Sequence, residues 1–432
     1  MDVKNFNNGL RAAACALALI AVAAVTYAQR PHSTAADGPG WTQAAKDQVL
    51  DKMTNYILTQ AYVPGVDFTK WQTTLKEIKP EVEKAGTEDE FAGILDKAMR
   101  DTFKISHIVL LPPDAVKSRV EHKMIGIGIR INIVPEGVYV VSTVPGAPAE
   151  KAGIEAGDTI EEADGHHVDG PTYIAGPQGS SVNLKVKKGD GTIKTYKVVR
   201  EPFDTAQKEE LIWVDKDTAV IKIYTFDLSY SQRNVEDLMK QAAPAKNLIV
   251  DLRNNGGGAV GYMLHFLSTL LPPGTQIGTF INKKTVDDYV ETTKGDREDL
   301  KAIADFSQNK LTITYNPVPV FKGHVAVLVN PGSGSASEIT AEALKELDNA
   351  PVLGRKSAGA VLVSVMGPLP HGFNLQYPIS DYISAKGVRL EANGIVPDQE
   401  VADVPFVKKG ETDPAYTAAE ALLNKIASSH GG

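Results

Sequence analysis

The spacing of apolar residues changes twice along this chain, so no fold built on one period can hold all of it. From Trp41 to about Thr102 they recur at the helical interval, as in Val49, Met53, Ile57 and Leu58, which predicts helices with one buried stripe each. Thr87 followed three residues later by Glu90 marks a helix start of the capping-box kind, continued by Phe91, Ile94, Leu95 and Met99. From Ile125 to Val199 the apolar runs shorten to strand length between Gly and Pro turns: GVYVVSTV, DTIEEADG and SVNLKVKKGDGTIKTYKVV. The last predicts a hairpin across Gly189-Asp190-Gly191, and Ala147 to Ala156 predicts a short helix. From about Asp204 strands and helices alternate: AVIKIY, a helix near Val235 to Gln241, NLIVDL, a helix around Gly261 to Leu270, HVAVLVN, and a helix from Ser335 to Leu347. That alternation predicts a mixed α/β layer. Glu291 to Gln308 is charged and shows no clear period. The expected architecture is α+β and multidomain, with a helical unit over 41–117, a β-rich unit over 118–203 and an α/β core over 204–432.

Ahead of these units, Lys4 and Arg11 precede the apolar run Ala12 to Val25, and small residues Thr26 and Ala28 stand before Gln29. This reads as a secretory signal peptide over 1–28 followed by a flexible leader, QRPHSTAADGPG, over 29–40. The run is short for a membrane span, and a retained N-terminal anchor is the rival reading. The only cysteine, Cys15, opens the apolar run instead of following it, which argues against lipidation. One cysteine also excludes a disulfide framework and a cysteine-cluster zinc site. Export would place the chain in the periplasm or outside the cell, with no membrane span left after signal cleavage. A net charge of −8 implies no broad basic surface and argues against nucleic acid as a partner.

Two segments of the last unit point to nucleophilic catalysis. Asp251-Leu252-Arg253-Asn254-Asn255-Gly256-Gly257-Gly258 is a strand running into a glycine-rich loop. Asn330-Pro331-Gly332-Ser333-Gly334-Ser335-Ala336-Ser337-Glu338 is a strand end, a small-residue turn and a helix start. Backbone N–H groups at a helix start lack intrahelical partners and, with the helix dipole, suit an oxyanion. The plain alternative makes Ser333 or Ser335 an N-cap. No complete phosphate-loop or dinucleotide fingerprint is present, and no H-E-x-x-H or other metal-ligand set, so neither cofactor nor metal is expected.

The β-rich unit, through Ile125-Gly126-Ile127-Gly128 and VSTVPGAPAEKAGIEAGDTIEEADG, resembles a circularly permuted bacterial PDZ domain. The resemblance implies that the Ile125–Gly128 turn offers N–H groups to a peptide's C-terminal carboxylate while the peptide adds as a strand. Together with the two later segments, the chain over about 41–410 resembles the C-terminal-processing (tail-specific) serine peptidases, whose catalytic core is a crotonase-like mixed α/β fold. The resemblance implies Ser335 as nucleophile and an oxyanion hole from Ala336 and Gly257, with Gly256 as the alternative to the latter. Well-known members carry a lysine base where this chain reads Gly354-Arg355-Lys356-Ser357-Ala358-Gly359-Ala360, so Ala360 takes the lysine position. Ser106-His107 before the PDZ-like unit and Glu391 in the run Leu390 to Asp398 resemble instead the tricorn-type core. That resemblance implies His107 as general base, oriented by Ser106 and Glu391.

These readings together predict an exported, metal-independent serine endopeptidase acting on polypeptides bound through their C-termini. A catalytically inactive PDZ peptide-binding protein is the rival, and an ester hydrolase on the same fold is a third reading.

Overall fold

The computed structural model describes residues 41–121, 123–204, 206–404, 407 and 411–430. The expected signal peptide and leader lie outside these residues. The described residues open with the α-helices α1 (Gln43–Thr59), α2 (Trp71–Lys84) and α3 (Glu88–Phe103). Thr42 caps α1 and Thr87 caps α3, each accepting a backbone N–H at the third following residue. Glu90 completes the start of α3 one residue further back than the simple capping box, because its carboxylate accepts from the Gly86 N–H at 2.6 Å. Helix α3 ends at Lys104, whose φ of 52° turns the chain out of the helix. After Ser106 and His107 comes β1 (Val109–Leu111), then α4 (Pro113–Glu121).

The β-rich unit runs through β2 (Lys123–Gly126), β3 (Ile129–Val134), β4 (Gly137–Thr143), α5 (Pro148–Ala152), β5 (Thr159–Ala163), β6 (His166–His167), β7 (Ser181–Lys187), β8 (Ile193–Val199) and β9 (Glu201–Asp204). Its sheet has the order β3-β4-β5-β7-β8, with β6 hanging on β5. Val138, Val140, Ile160, Val182, Leu184 and Val186 alternate inward to form its core. The β7–β8 hairpin turns at 188–192 as the Gly-Asp-Gly run predicts. Helix α5 is shorter than the sequence suggests, because Gly153 at φ 89° ends it. Strands β2 and β9 pair antiparallel, Lys123 opposite Asp204, so this unit enters and leaves the rest of the chain through one two-stranded neck.

The remaining chain holds β10 (Glu210–Trp213), β11 (Thr218–Lys222), α6 (Gln232–Ala242), β12 (Asn247–Asp251), α7 (Val260–Leu267), β13 (Gln276–Asn282), α8 (Lys283–Thr293), α9 (Leu300–Phe306), β14 (Lys310–Thr312), β15 (His324–Val329), α10 (Ala336–Leu347), β16 (Val352–Gly354), β17 (Val363–Pro368), β18 (Asn374–Ser384), β19 (Gln399–Glu400) and α11 (Pro414–His430). The aperiodic charged stretch supplies the end of α8 and all of α9. One sheet, ordered β10-β11-β12-β15-β16-β19, is parallel from β11 onward. It is apolar on both faces, as buried parallel strands must be. Leu248, Val250, Val327 and Val329 face α7 and α10, while Ile249, Ala326 and Leu328 face Ala415, Tyr416, Ala419 and Leu423 of α11.

A second sheet, β1-β18-β13-β14 with β17 also on β18, closes the other side. Here the helical N-terminal unit joins the core. Trp71, Phe91, Leu95 and Met99 share one buried cluster with Leu369, Phe373, Leu375 and Tyr377, and β1 pairs with β18. The segment carrying Ser106 and His107 is thereby fixed between α3 and a core strand. Among the described residues no helix is long and apolar enough to cross a membrane.

Candidate active site

The turn from β15 into α10 separates the two candidate serines. Ser333 is fully buried and its hydroxyl is consumed by structure: it donates to the Leu252 carbonyl at 2.8 Å and accepts the Asn330 N–H at 2.9 Å. Ser335 sits just ahead of α10 at φ 55°, ψ −119°. A non-glycine residue held in that region is strained, and such strain persists only where the surroundings over-determine it. They do so here. The Ser335 N–H is shared between the Ala360 carbonyl at 2.8 Å and Glu338 Oε2 at 3.0 Å.

Glu338 is buried on the first turn of α10 and was given no role from the sequence, although its S-x-x-E spacing from Ser335 carries the signal. Its Oε1 accepts from Ser357 Oγ at 2.5 Å and the Gly359 N–H at 2.7 Å, and its Oε2 also takes the Ala360 N–H at 2.9 Å. One carboxylate therefore fixes both the Ser335 turn and the 357–360 segment. Burial raises its pKa, against these donors. Ala360 meets Ser335 through its backbone carbonyl, and Lys356 of the same segment is exposed.

Two parts of the chain 285 residues apart meet beside this segment. Glu391 Oε1 accepts the Ser106 N–H at 2.9 Å, and its Oε2 accepts Ser106 Oγ at 2.8 Å and the Val361 N–H at 2.8 Å. Ser106 Oγ in turn stands 2.5 Å from His107 Nδ1. With its own hydrogen given to the Glu391 carboxylate, Ser106 Oγ has only lone pairs for the ring, so Nδ1 carries the proton and Nε2 the lone pair. Nε2 is buried and has no hydrogen-bond partner among the described residues. Burial, and then the charge of Arg119, push the His107 pKa down to about 3, so the resting ring is neutral. Burial raises Glu391, opposed by the donors from Ser106 and Val361. The peptide between Ala360 and Val361 bonds Ser335 on one side and Glu391 on the other, so a continuous hydrogen-bonded path runs from the serine to the histidine.

The glycine loop after β12 is stitched onto the serine turn. Gly334 donates to the Asn255 carbonyl at 3.0 Å, and the Asn254 N–H donates to Asn330 Oδ1 at 2.9 Å. Gly257, at φ 97°, lies so close that a Cβ there would come within 2.7 Å of Ser335 Cβ and 2.8 Å of the Ala336 nitrogen. Only glycine fits. The Ala336 N–H begins α10 and so has no carbonyl of its own helix to bond. The Gly257 N–H already donates to Asn255 Oδ1 at 2.9 Å, and an oxyanion beside it would compete for that proton.

In the β-rich unit Ile125 is half exposed, Gly126 ends β2, and Ile127 is buried. The Ile127 and Gly128 carbonyls accept from Ala149 and Val144, both at about 2.8–2.9 Å, which pins the turn while Gly128 adopts φ 72°. The following strand, β3, is an edge of its sheet and pairs on one side only, with β4. Three other histidines have different partners: His265 is buried against Tyr230, His166 stacks on Tyr173, and His371 meets Gln48. Among the described residues no group of three His, Cys, Asp or Glu side chains is placed to hold a metal ion.

Comparison with known proteins agrees with this layout. Residues 217–401 match the model of peptidase family S41, and residues 139–188 match that of a PDZ domain. A carboxyl-terminal-processing protease of Picosynechococcus sp. is 28% identical over 340 residues, covering 73% of this chain and 75% of that protein. The carboxy-terminal processing protease CtpA of Bacillus subtilis is 25% identical over 384 residues, 83% of this chain and 76% of the relative. Among solved structures, an S41 protease structure from Bacteroides fragilis superposes with a TM-score of 0.57 at 16% identity, covering 92% of this chain and all of the other. Mature CPAF gives a TM-score of 0.52 at 14% identity, covering 89% and 97%. At those identities the structures speak for the fold alone. With the two family models and relatives aligned over 73% and 83% of this chain in agreement, the chain is a serine-type peptidase similar to the carboxyl-terminal-processing proteases, its match to family S41 lying over 217–401 and its PDZ match over 139–188.

Proposed function

We propose that this chain is an exported serine endopeptidase that cleaves polypeptides whose C-termini are held by its PDZ domain. Ser335 Oγ attacks the scissile carbonyl while His107 Nε2 takes its proton, and the ring returns that proton to the leaving amine. The acyl-enzyme on Ser335 is then hydrolysed by a water that gives its proton to the same nitrogen. Glu391 and Ser106 orient the ring and stabilise its charged form. The Ala336 and Gly257 N–H groups hold the oxyanion, with the Gly257 donor turning from Asn255 toward substrate. The N–H groups of the Ile125–Gly128 turn receive the C-terminal carboxylate, and the peptide extends along the free edge of β3.

The observation that carries this reading is the Glu391–Ser106–His107 chain ending in a buried imidazole nitrogen with a lone pair and no partner among the described residues. Such a group costs stability unless something uses it. The rival, a peptide-binding protein without catalysis, is favoured by the engaged Gly257 N–H. Incubation of the chain with a serine-reactive fluorophosphonate, beside Ser335→Ala, His107→Ala and Lys356→Ala, decides between them. Adduct on Ser335 that disappears in His107→Ala supports the histidine mechanism. Loss in Lys356→Ala with survival in His107→Ala would overturn it, and a folded wild type that never labels would favour the peptide-binding protein.

A further inference from the structure

The motif strand that leads into the glycine loop is tied to the far end of the chain. Asp251, wholly buried at the end of β12, accepts at Oδ1 from the Arg253 N–H at 3.0 Å and Arg253 Nε at 2.9 Å. Its Oδ2 accepts from Arg253 Nη2 at 2.8 Å and from the Tyr416 hydroxyl at 2.9 Å. The same Nη2 donates to Asp413 Oδ2 at 2.7 Å, and the guanidinium lies over the Tyr416 ring at 5.3 Å. Asp413 also accepts the Ala415 N–H at 2.8 Å, so it closes the start of α11 and the Arg253 cage at once. The next residues after Arg253 are Asn254, bonded to Asn330, and Asn255, bonded to Gly334 and Gly257.

We infer that Asp413 and Tyr416 are positioning residues for catalysis, setting through Arg253 and Asp251 where the 254–257 loop stands against Ser335. Charged hydrogen bonds between a rigid strand end and a buried carboxylate fix geometry more tightly than apolar contact does. Separately from this cage, Ala415, Ala419 and Leu423 hold α11 to the sheet by apolar burial. The brace therefore acts on placement of the loop beyond what holding the fold together requires. The inference rests on the proposed roles of Ser335 and Gly257.

The test uses the chain as it exists with Asp413→Asn, Tyr416→Phe and the double variant, and a quenched-fluorescent peptide bearing a free C-terminal carboxylate. A displaced oxyanion donor is felt in the transition state and not in ground-state binding, so kcat falls roughly tenfold or more in Asp413→Asn while KM stays within about twofold. Tyr416→Phe keeps the ring over Arg253 and loses less, and the double variant is not additive. The rate of fluorophosphonate labelling at Ser335 falls in step with kcat, and the pH profile keeps its shape because His107 is untouched. Variants with wild-type kcat, or with kcat, KM and unfolding midpoint all degraded together, would overturn the inference while leaving the hydrolase standing. A wild type that neither cleaves nor labels would overturn the hydrolase reading, and this one with it.

Discussion

At the scale of single residues, the proton inventory around Ser106 makes the site readable. Glu391→Gln replaces a carboxylate that collects three donors with an amide that turns an NH2 toward one of them, so the His107 tautomer is no longer dictated. By comparison with the loss seen when a triad carboxylate is neutralised, kcat is expected to fall roughly 10²- to 10⁴-fold with little change in KM. Ser106→Ala breaks the same link while leaving the carboxylate its two backbone donors, and a smaller loss is expected. Because burial holds the His107 pKa near 3 in the free protein, kcat/KM shows no acid limb near 6.5, the ordinary value for imidazole; a limb there would contradict the buried, neutral ring. The linkage has a definite sign. The folded pKa lies below the unfolded one, so the unfolded chain binds the proton first, and His107 withdraws stability as pH falls from about 6.5 toward 3. His107→Asn flattens that part of the acid unfolding curve, measured as the unfolding midpoint against pH. Gly257→Ala meets both a left-handed φ and Ser335 Cβ, and loses labelling at Ser335.

At the scale of elements, the decisive joint is between α3 and β1. The left-handed Lys104 and His107 bend the chain twice within four residues, and β1 then locks onto β18. Asp96 of α3 reinforces the joint by accepting the Leu110 N–H at 2.6 Å. Burial pushes its pKa up to about 7, against that donor and the Arg100 charge. A carboxyl raised in the fold costs stability as pH climbs from the unfolded value near 4 through 7, and nothing below that window. Asp96→Asn keeps the acceptor and removes the charge, so it raises the unfolding midpoint by a few degrees at pH 8 and by less at pH 5. Glu338 plays the corresponding part for α10. Its carboxylate serves Ser335, Ser357, Gly359 and Ala360, and Glu338→Gln is expected to cost about 2–4 kcal/mol as one of those donors meets an NH2 instead of an oxygen. Chemical denaturation reads it directly.

At the scale of the whole molecule, the helical unit and the peptidase core share one apolar cluster, whereas the PDZ domain hangs on the β2–β9 neck. The two attachments predict opposite responses to surgery. Joining Lys123 to Asp204 across the pair they already form should leave a folded core that still labels at Ser335, but one indifferent to whether a peptide ends in a carboxylate or an amide. The intact chain should prefer the carboxylate. Opening the shared cluster with Phe91→Ala costs about 3–5 kcal/mol and takes activity with it, because the His107 segment loses its seat.

The sequence alone determined the run of elements, since periods of 3.6 and 2 are local properties of neighbouring residues, and Thr87, Gly153 and the Gly-Asp-Gly turn act within a few positions of themselves. It also marked the Ser335 turn and the glycine loop, because small residues at a strand end constrain backbone locally. It left β1, α4, β10, β13, α8, α9, β14, β16 to β19 and α11 unread, and in α8 and α9 the charged faces obscure the apolar stripe. Only the folded chain ties up the Ser333 hydroxyl, on a carbonyl 81 residues away. It also decided the bond of Ser106 to Glu391 across 285 residues and the anchoring of Arg253 by Asp413 across 160. Those contacts are hydrogen bonds between groups with no common period, and their partners are set only when the sheets have packed and the water has left.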